Sequence, residues 1–165
     1  MPLGATALTE WLQALGDWPV AAFLRSSLPL YAALNAAHII SIGLVIGSIA
    51  TLDLRVLGLF RSVPLGVLAA PLSRVAAAGV LLAMTTGFLL FSVRPTTYAQ
   101  NPAFLTKIAL VGFGIANALL LRSNRHWRIA KEGGSLHASV RLAAAFSLLV
   151  WGSAVLAGRW IGFLQ

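Results

Sequence analysis

Two polar side chains in an otherwise apolar stretch are of types that could bind a ligand. Asn35 and His38 lie one helical turn apart within residues 30–55, LYAALNAAHIISIGLVIGSIATLDLR. An imidazole in apolar surroundings needs a hydrogen-bond partner or a ligand, because an unpaired polar group there costs free energy. His38 is therefore the first candidate for a binding residue, and the elements around it decide what it could bind.

The composition predicts a membrane protein. Of the 165 residues, 59% are hydrophobic and 10% are charged, whereas a soluble domain is about 25% charged. Ranges 26–52, 75–93 and 142–158 carry no Lys, Arg, Asp or Glu, and range 102–121 carries only Lys107. Because a helix needs about 20 apolar residues to cross a bilayer, we predict an all-α, four-transmembrane-helix bundle. Residues 1–165 form one membrane domain, with spans at about 29–52, 74–93, 102–121 and 141–161.

The residues before the first span predict an N-terminal interfacial amphipathic helix over about 5–25. Its apolar stripe has helical spacing and includes two tryptophans, a pattern typical of helices that lie in the membrane interface. The stripe consists of Leu8, Trp11, Leu12, Leu15 and Trp18, and Pro19 ends or kinks the helix.

The basic residues predict the orientation. The net charge is +8, but the charges lie at the ends of apolar segments, so we expect no nucleic-acid partner. Cytoplasmic loops are enriched in Lys and Arg. One side of the four-span arrangement has Arg55, Arg61, Arg74, Arg122, Arg125, Arg128, Lys131 and Arg141, and the other has Arg25, Arg94, Lys107 and Arg159. We therefore predict a multi-pass protein of the bacterial inner membrane with both termini outside.

This orientation brings polar residues of all four spans to similar depths. His38 lies about 13 Å into span one from its outer end, at about 1.5 Å per residue. The polar residues in the outer half are Asn35, His38, Thr85, Thr86, Arg94, Lys107 and Arg159. Ionisable residues inside a bilayer usually face the bundle interior or a water-filled path. If these faces point inward, they form one pocket.

Structural roles are the alternative for several of these residues. His38 could instead form an interhelical hydrogen bond with Thr85, Thr86 or Asn117, and Lys107 could reach the interface along its own side chain. Asp53 and Arg55 at the inner end of span one suggest a helix-end ion pair or a topology anchor. Small residues four apart predict close helix packing, at Gly43 with Gly47, Gly112 with Ala116, and Ala154 with Gly158.

The residue types in the spans favour haem over other chemistries. His38 is the only histidine in the predicted spans, and no cysteine or carboxylate accompanies it there. This pattern argues against a hydrolase and a proton-coupled transporter, and a copper site would want more histidine, methionine or cysteine. A single haem b with His38 as axial ligand fits a lone imidazole. Arg94 and Arg159 could then pair with the haem propionates.

Three segments resemble a family of uncharacterised bacterial four-span membrane proteins: AAHIISIGLVIGSIATLDLR, TTGFLLFSVRPTTYAQNPAFLTK and LLVWGSAVLAGRWIGFL. The chain is also distantly similar to the copper-resistance protein D family and to the small four-helix protoporphyrinogen oxidases of bacteria. The resemblance to the oxidases implies haem b at His38, with Lys107 in the place of the oxidases' third-span lysine. Those oxidases have a further histidine in that span, where this chain has Asn117 or Leu121. This difference argues against oxidase activity more than against haem binding.

The sequence thus predicts a small integral membrane protein that binds one haem b in the outer half of the bundle and has a redox or electron-transfer role. The alternative is a non-catalytic structural or accessory subunit in which the polar cluster holds helices together. Either protein contacts the lipid bilayer and forms a homo-oligomer or joins a larger membrane complex. Whether it is an enzyme stays open, and copper handling or transport are weaker alternatives.

The orientation gives the first testable prediction. A reporter fused after Gln165 should show activity characteristic of the outer side of the membrane, because the basic loops hold both connections in the cytoplasm. Paired fusions of a periplasm-active and a cytoplasm-active reporter provide the measurement and its control. A cytoplasmic signal from both would overturn the predicted orientation.

Overall fold

The computed structural model describes the backbone of residues 3–164 and the side chains of residues 7–164. Within that range the chain forms eight α-helices and a terminal 3-10 turn, Ile161–Phe163. In chain order the helices are α1 (Leu3–Gly16), α2 (Pro19–Ser26), α3 (Leu28–Leu57), α4 (Leu65–Val93), α5 (Pro95–Gln100), α6 (Pro102–Ser123), α7 (Arg125–Lys131) and α8 (Ala138–Trp160).

The four predicted spans are confirmed as helices long and apolar enough to cross a membrane, namely α3, α4, α6 and α8. The first two are longer than predicted. α3 continues through Asp53 and Arg55 to Leu57, and Gly58 ends it with φ 116°. α4 begins at Leu65 and contains Pro71. Both helices extend beyond the predicted spans because helical hydrogen bonding does not stop at the first charged residue, whose side chain can reach past the apolar region.

The predicted N-terminal helix is two helices. α1 ends at Gly16, and Pro19 is at the start of α2, where its missing N–H breaks no helical hydrogen bond. Along the predicted stripe, Leu12 is buried while Trp11 and Trp18 are exposed. The Arg25 guanidinium donates to the Val93 carbonyl at 3.1 Å, which ties α2 to the last turn of α4.

Helices α3 and α8 are central in the bundle. Backbone contacts join α4 to α3, α3 to α8, and α8 to α6. In the described range no Cα atoms of α4 and α6 approach within 8 Å, so the bundle is more open between these two helices. Their side chains meet at one end, where the rings of Phe91 and Phe104 stack at 5.4 Å between centroids.

We name the two ends of the bundle by their residues. The aromatic end, residues 91–104 and 159–164, contains Phe91, Phe104 and α5. The basic end, residues 53–65 and 122–141, contains both long connections. An apolar cluster at the basic end joins α3, α4, α7 and α8, and its buried members are Val56, Leu65, Ala69, Trp127, Ala130, Val140 and Ala144.

Close packing depends on glycines different from most of those predicted. A Cβ atom at Gly79 would lie 2.9 Å from Val45 Cγ2, and one at Gly114 would lie 2.7 Å from the Trp151 ring. By contrast, Cβ atoms at Gly43, Gly47 and Gly112 would meet nothing within 4 Å. Close packing at these three glycines does not occur within the described range, because their helix faces point away from the neighbouring helices.

Two glycines of α6 provide a matched test of this packing. Gly114→Ala should destabilise the protein by about 1–3 kcal/mol, because the new methyl group would overlap the rigid Trp151 ring. Gly112→Ala should be neutral or stabilising by up to about 1 kcal/mol, because alanine has the higher helix propensity. Thermal unfolding in detergent measures both, and equal effects would contradict the packing.

Candidate functional site

The strongest polar contact between two spans joins His38 to Thr86. His38 Nδ1 of α3 lies 2.9 Å from Thr86 Oγ1 of α4, and both residues are half-buried. Of the three hydrogen-bond partners that the sequence allowed, the structure selects Thr86. Asn117 instead donates from Nδ2 to the Ala143 carbonyl at 3.1 Å, joining α6 to α8.

The hydrogen bonds around Thr86 indicate the tautomer of His38. The Thr86 hydroxyl lies 2.7 Å from the Leu82 carbonyl of its own helix, to which it can donate its single proton. Thr86 Oγ1 then acts as acceptor toward the imidazole, so the Nδ1–H group of His38 is the donor. In a neutral ring this assignment leaves Nε2 unprotonated, with a lone pair available to a ligand.

A glycine makes room for the His38 ring. A Cβ atom at Gly87, the residue after Thr86, would lie 3.0 Å from His38 Cε1. The imidazole therefore lies against the backbone of α4 at Gly87, while Nδ1 bonds to the hydroxyl of the preceding residue, Thr86. Thr86 and Gly87 together fix where the ring lies.

Lys107 also belongs to this part of the bundle. A Cβ atom at Gly158 of α8 would lie 3.4 Å from Lys107 Cδ, Cε and Nζ, so the lysine side chain crosses α8 at a glycine. Lys107 is half-buried and close enough to His38 for a direct electrostatic interaction. The structure thus brings together residues of α3, α4, α6 and α8, as the depth argument predicted for His38, Thr86 and Lys107.

Two other predicted residues do not join this group. Thr85 is exposed, and its hydroxyl donates to the Leu81 carbonyl of its own helix at 3.0 Å. Asn35 is exposed as well. Equal depth does not imply an equal face: successive residues in a helix are rotated by about 100°, so Thr85 and Thr86 cannot both point at His38. The structure therefore does not bring Asn35 and Thr85 to the His38–Thr86 contact.

The predicted arginines lie at the surface of the aromatic end. Arg94 is exposed and interacts electrostatically with Tyr31. Arg159 is exposed, and its guanidinium lies 4.9 Å from the centroid of the Phe163 ring. Their positions near the ends of α4 and α8 place both arginines beyond His38 toward the aromatic end.

Sequence reasoning missed Tyr31 and the two glycines. Tyr31 lies within hydrogen-bonding range of Tyr98, whose ring is 5.5 Å from that of Phe104. The sequence feature that could have identified Tyr31 is its spacing of seven residues from His38, which is two helical turns on one face. Gly87 and Gly158 had no comparable signal, because a glycine in a span does not reveal which side chain will cross it.

Asp53 also differs from prediction. It is buried, at 5% exposure, with its carboxyl group within hydrogen-bonding range of Ser147 in α8. Arg55 Nε donates to the Val63 carbonyl at 2.7 Å, and no Asp53–Arg55 ion pair forms in the described range. Asp53 thus belongs to the helix of the first span, because α3 extends past it to Leu57.

A family model matches residues 22–164, which is most of the chain. The chain belongs to this family, described as a family of unknown function (DUF6644). No curated protein and no solved structure matches the chain. Membership agrees with the predicted place in an uncharacterised family, whereas the similarity to the copper-resistance protein D family and to the oxidases stays a prediction.

The range shared with the family contains all four spans and every candidate site residue, and most of the N-terminal helical region lies before it. In this member of the family, residues 7–164 contain no group of three or more His, Cys, Asp or Glu side chains placed to hold a metal ion. Two cavities are defined in the same range. One, of about 560 Å³, is lined by Trp11, Trp18 and Phe88 among others. The other, of about 330 Å³, lies at the basic end, and neither is lined by His38.

The adjacent threonines test the hydrogen bond. Thr86→Val should destabilise the protein by about 0.5–1.5 kcal/mol, because it leaves His38 Nδ1 without its acceptor. Thr85→Val, an equal change on the exposed face, should have little effect. Unfolding in detergent measures both variants. A Thr85→Val effect as large as that of Thr86→Val would contradict the assigned partner.

Proposed function

We propose that the protein binds one haem b in the half of the bundle near the aromatic end, with His38 Nε2 as axial ligand and a redox or electron-transfer role. The observation that carries this proposal is the hydrogen bond between His38 Nδ1 and Thr86 Oγ1. Histidines that ligate metals usually donate their other ring N–H to a fixed acceptor, which sets the tautomer and the ring orientation. Thr86 occupies that position here.

The donor set fits haem better than a bare metal ion. A porphyrin supplies four of the iron ligands, so the protein needs to provide only one or two. A lone half-buried histidine meets that requirement. A copper or zinc site would need three or four protein ligands, and the described side chains offer no such group around His38.

Three cationic residues have supporting roles in this proposal. Lys107 would be a second ligand or a charge that tunes the site from the α6 side. Arg94 and Arg159, exposed at the aromatic end, would pair with the propionates, since guanidinium groups bind carboxylates in a forked geometry. The haem would supply one-electron chemistry when bound, while Thr86 and Gly87 would hold the imidazole in place.

The second candidate is a structural or accessory membrane subunit. The same His38–Thr86 bond favours it, because a hydrogen bond between α3 and α4 is sufficient to satisfy the imidazole without a ligand. The open faces at Gly43, Gly47 and Gly112 would then suit a second copy or another membrane subunit, since small residues allow helices to approach closely. We place either protein in a bacterial inner membrane, with both termini outside, on the distribution of Lys and Arg.

The visible absorption spectrum of the detergent-purified protein tests the proposal. Protein from haem-replete cells should show a Soret band, which His38→Ala should abolish because the axial nitrogen is gone. Thr86→Val should weaken haem retention while leaving His38 in place. A colourless preparation that is fully folded would contradict haem binding and favour the accessory subunit.

Two variants serve as controls for that measurement. His126→Ala removes a histidine outside the spans, and Asn35→Ala removes the exposed amide one turn from His38. Both should keep the Soret band and the unfolding temperature of the unmodified protein. Loss of the band in His126→Ala but not in His38→Ala would assign the ligand to the basic end and contradict the proposed site.

A further inference from the structure

A buried carboxyl group at the basic end is unrelated to the site around His38. Asp53 lies on the packed side of α3 and is 5% exposed. Its Oδ2 atom is fully buried and has no hydrogen-bond partner in the described range. Ser147 of α8, itself 6% exposed, is within hydrogen-bonding range of the carboxyl group. One carboxyl oxygen is therefore left without a partner inside the protein.

No described cation neutralises this group. On its own helix, Arg55 points to the Val63 carbonyl. On the helices packed against α3, Arg74 of α4 and Arg141 of α8 are exposed. Val56, one turn from Asp53 along α3, and Ala144, one turn from Ser147 along α8, belong to the apolar cluster of the basic end. The chain has four acidic residues, and the other three lie outside the spans.

An ionised carboxylate in such surroundings has a large desolvation cost that no described cation offsets. The group can avoid this cost by binding a proton, which makes it neutral and turns the oxygen into a hydroxyl. Ionisable residues inside membrane helices commonly mark proton or ion sites. Asp53 is four residues from the end of α3, or about 6 Å along the helix, so water at the basic end is nearby.

We propose that Asp53 is a proton-binding site that takes up and releases a proton through the basic end of the bundle. The step is a simple association in which the carboxylate and one proton form a carboxylic acid, with no electron transferred. A proton needs one oxygen, whereas a sodium or calcium ion needs about six oxygen ligands. The carboxyl group and the Ser147 hydroxyl are too few for such an ion.

The packed side of α3 also connects this site to the rest of the span. Ser41 and Ser48, 3% and 6% exposed, lie between His38 and Asp53 on the buried side of the helix. Polar groups therefore recur along α3 from one half of the bundle to the other. Proton binding at Asp53 does not depend on haem binding at His38, and the two sites lie in opposite halves of the bundle.

Because the chain has two aspartates, Asp17 and Asp53, carbon-13 labelling of the aspartate side-chain carboxyl gives two signals. The unmodified full-length protein in nanodiscs is followed by NMR as the pH changes. Asp17→Asn removes the Asp17 signal and so assigns the other one, even if Asp53→Asn fails to fold. Exposed Asp17 is the internal control for a carboxyl group in contact with solvent.

We expect the Asp53 signal to titrate reversibly and separately from that of exposed Asp17. Simultaneous titration of the two signals would overturn the proposal. An Asp53 signal that does not change over the whole pH range of the folded protein would also overturn it, because the proton would not exchange. Repeating the titration with choline in place of sodium tests whether the site binds a metal cation instead of a proton. A titration curve that depends on sodium would assign a metal cation.

Discussion

The 2.9 Å hydrogen bond between His38 and Thr86 is the constraint on which the proposed site depends. A bilayer cannot solvate an imidazole, so the side chain must find its partner inside the protein. This partner comes from α4, and the bond therefore fixes α3 against α4 at one depth. It also sets the tautomer of the ring, since an Nδ1–H donor leaves Nε2 unprotonated. Both proposed functions begin from this bond and differ in whether Nε2 has a ligand.

Helix α3 carries ionisable groups in both halves of the bundle. His38 and Asp53 are separated by about 22 Å along its axis, and each faces a different neighbouring helix. His38 bonds to Thr86 of α4, and Asp53 lies within hydrogen-bonding range of Ser147 of α8. The apolar residues that fill the basic end cannot satisfy a carboxylate, just as lipid cannot satisfy the imidazole. The central position of α3, packed between α4 and α8, is what allows one helix to hold both groups.

Much of the fold followed from the sequence, because charge-free stretches of sufficient length have few alternatives to a membrane helix. The position of each polar residue along its span also followed from the sequence, which is why Thr86 was among the expected partners of His38. The rotation of each helix about its own axis did not follow from the sequence. Thr85 and Thr86 have nearly the same depth, but only packing decides which one faces α3. The end of α3 did not follow either, because Asp53 looked like a boundary residue, whereas the helix continues to Leu57 and buries it. The contact of Gly87 with His38 depends on tertiary packing, which no local pattern encodes.

The tautomer of His38 tests this account most directly. Nitrogen-15 NMR of histidine-labelled, haem-free protein distinguishes a protonated from an unprotonated ring nitrogen, and loss of the signal in His38→Gln assigns it. The account predicts a neutral ring with the proton on Nδ1 and a bare Nε2. Thr86→Val should remove this preference. A ring protonated on Nε2 in the unmodified protein would contradict the account, since Thr86 would not be the acceptor and no lone pair would be available to a haem.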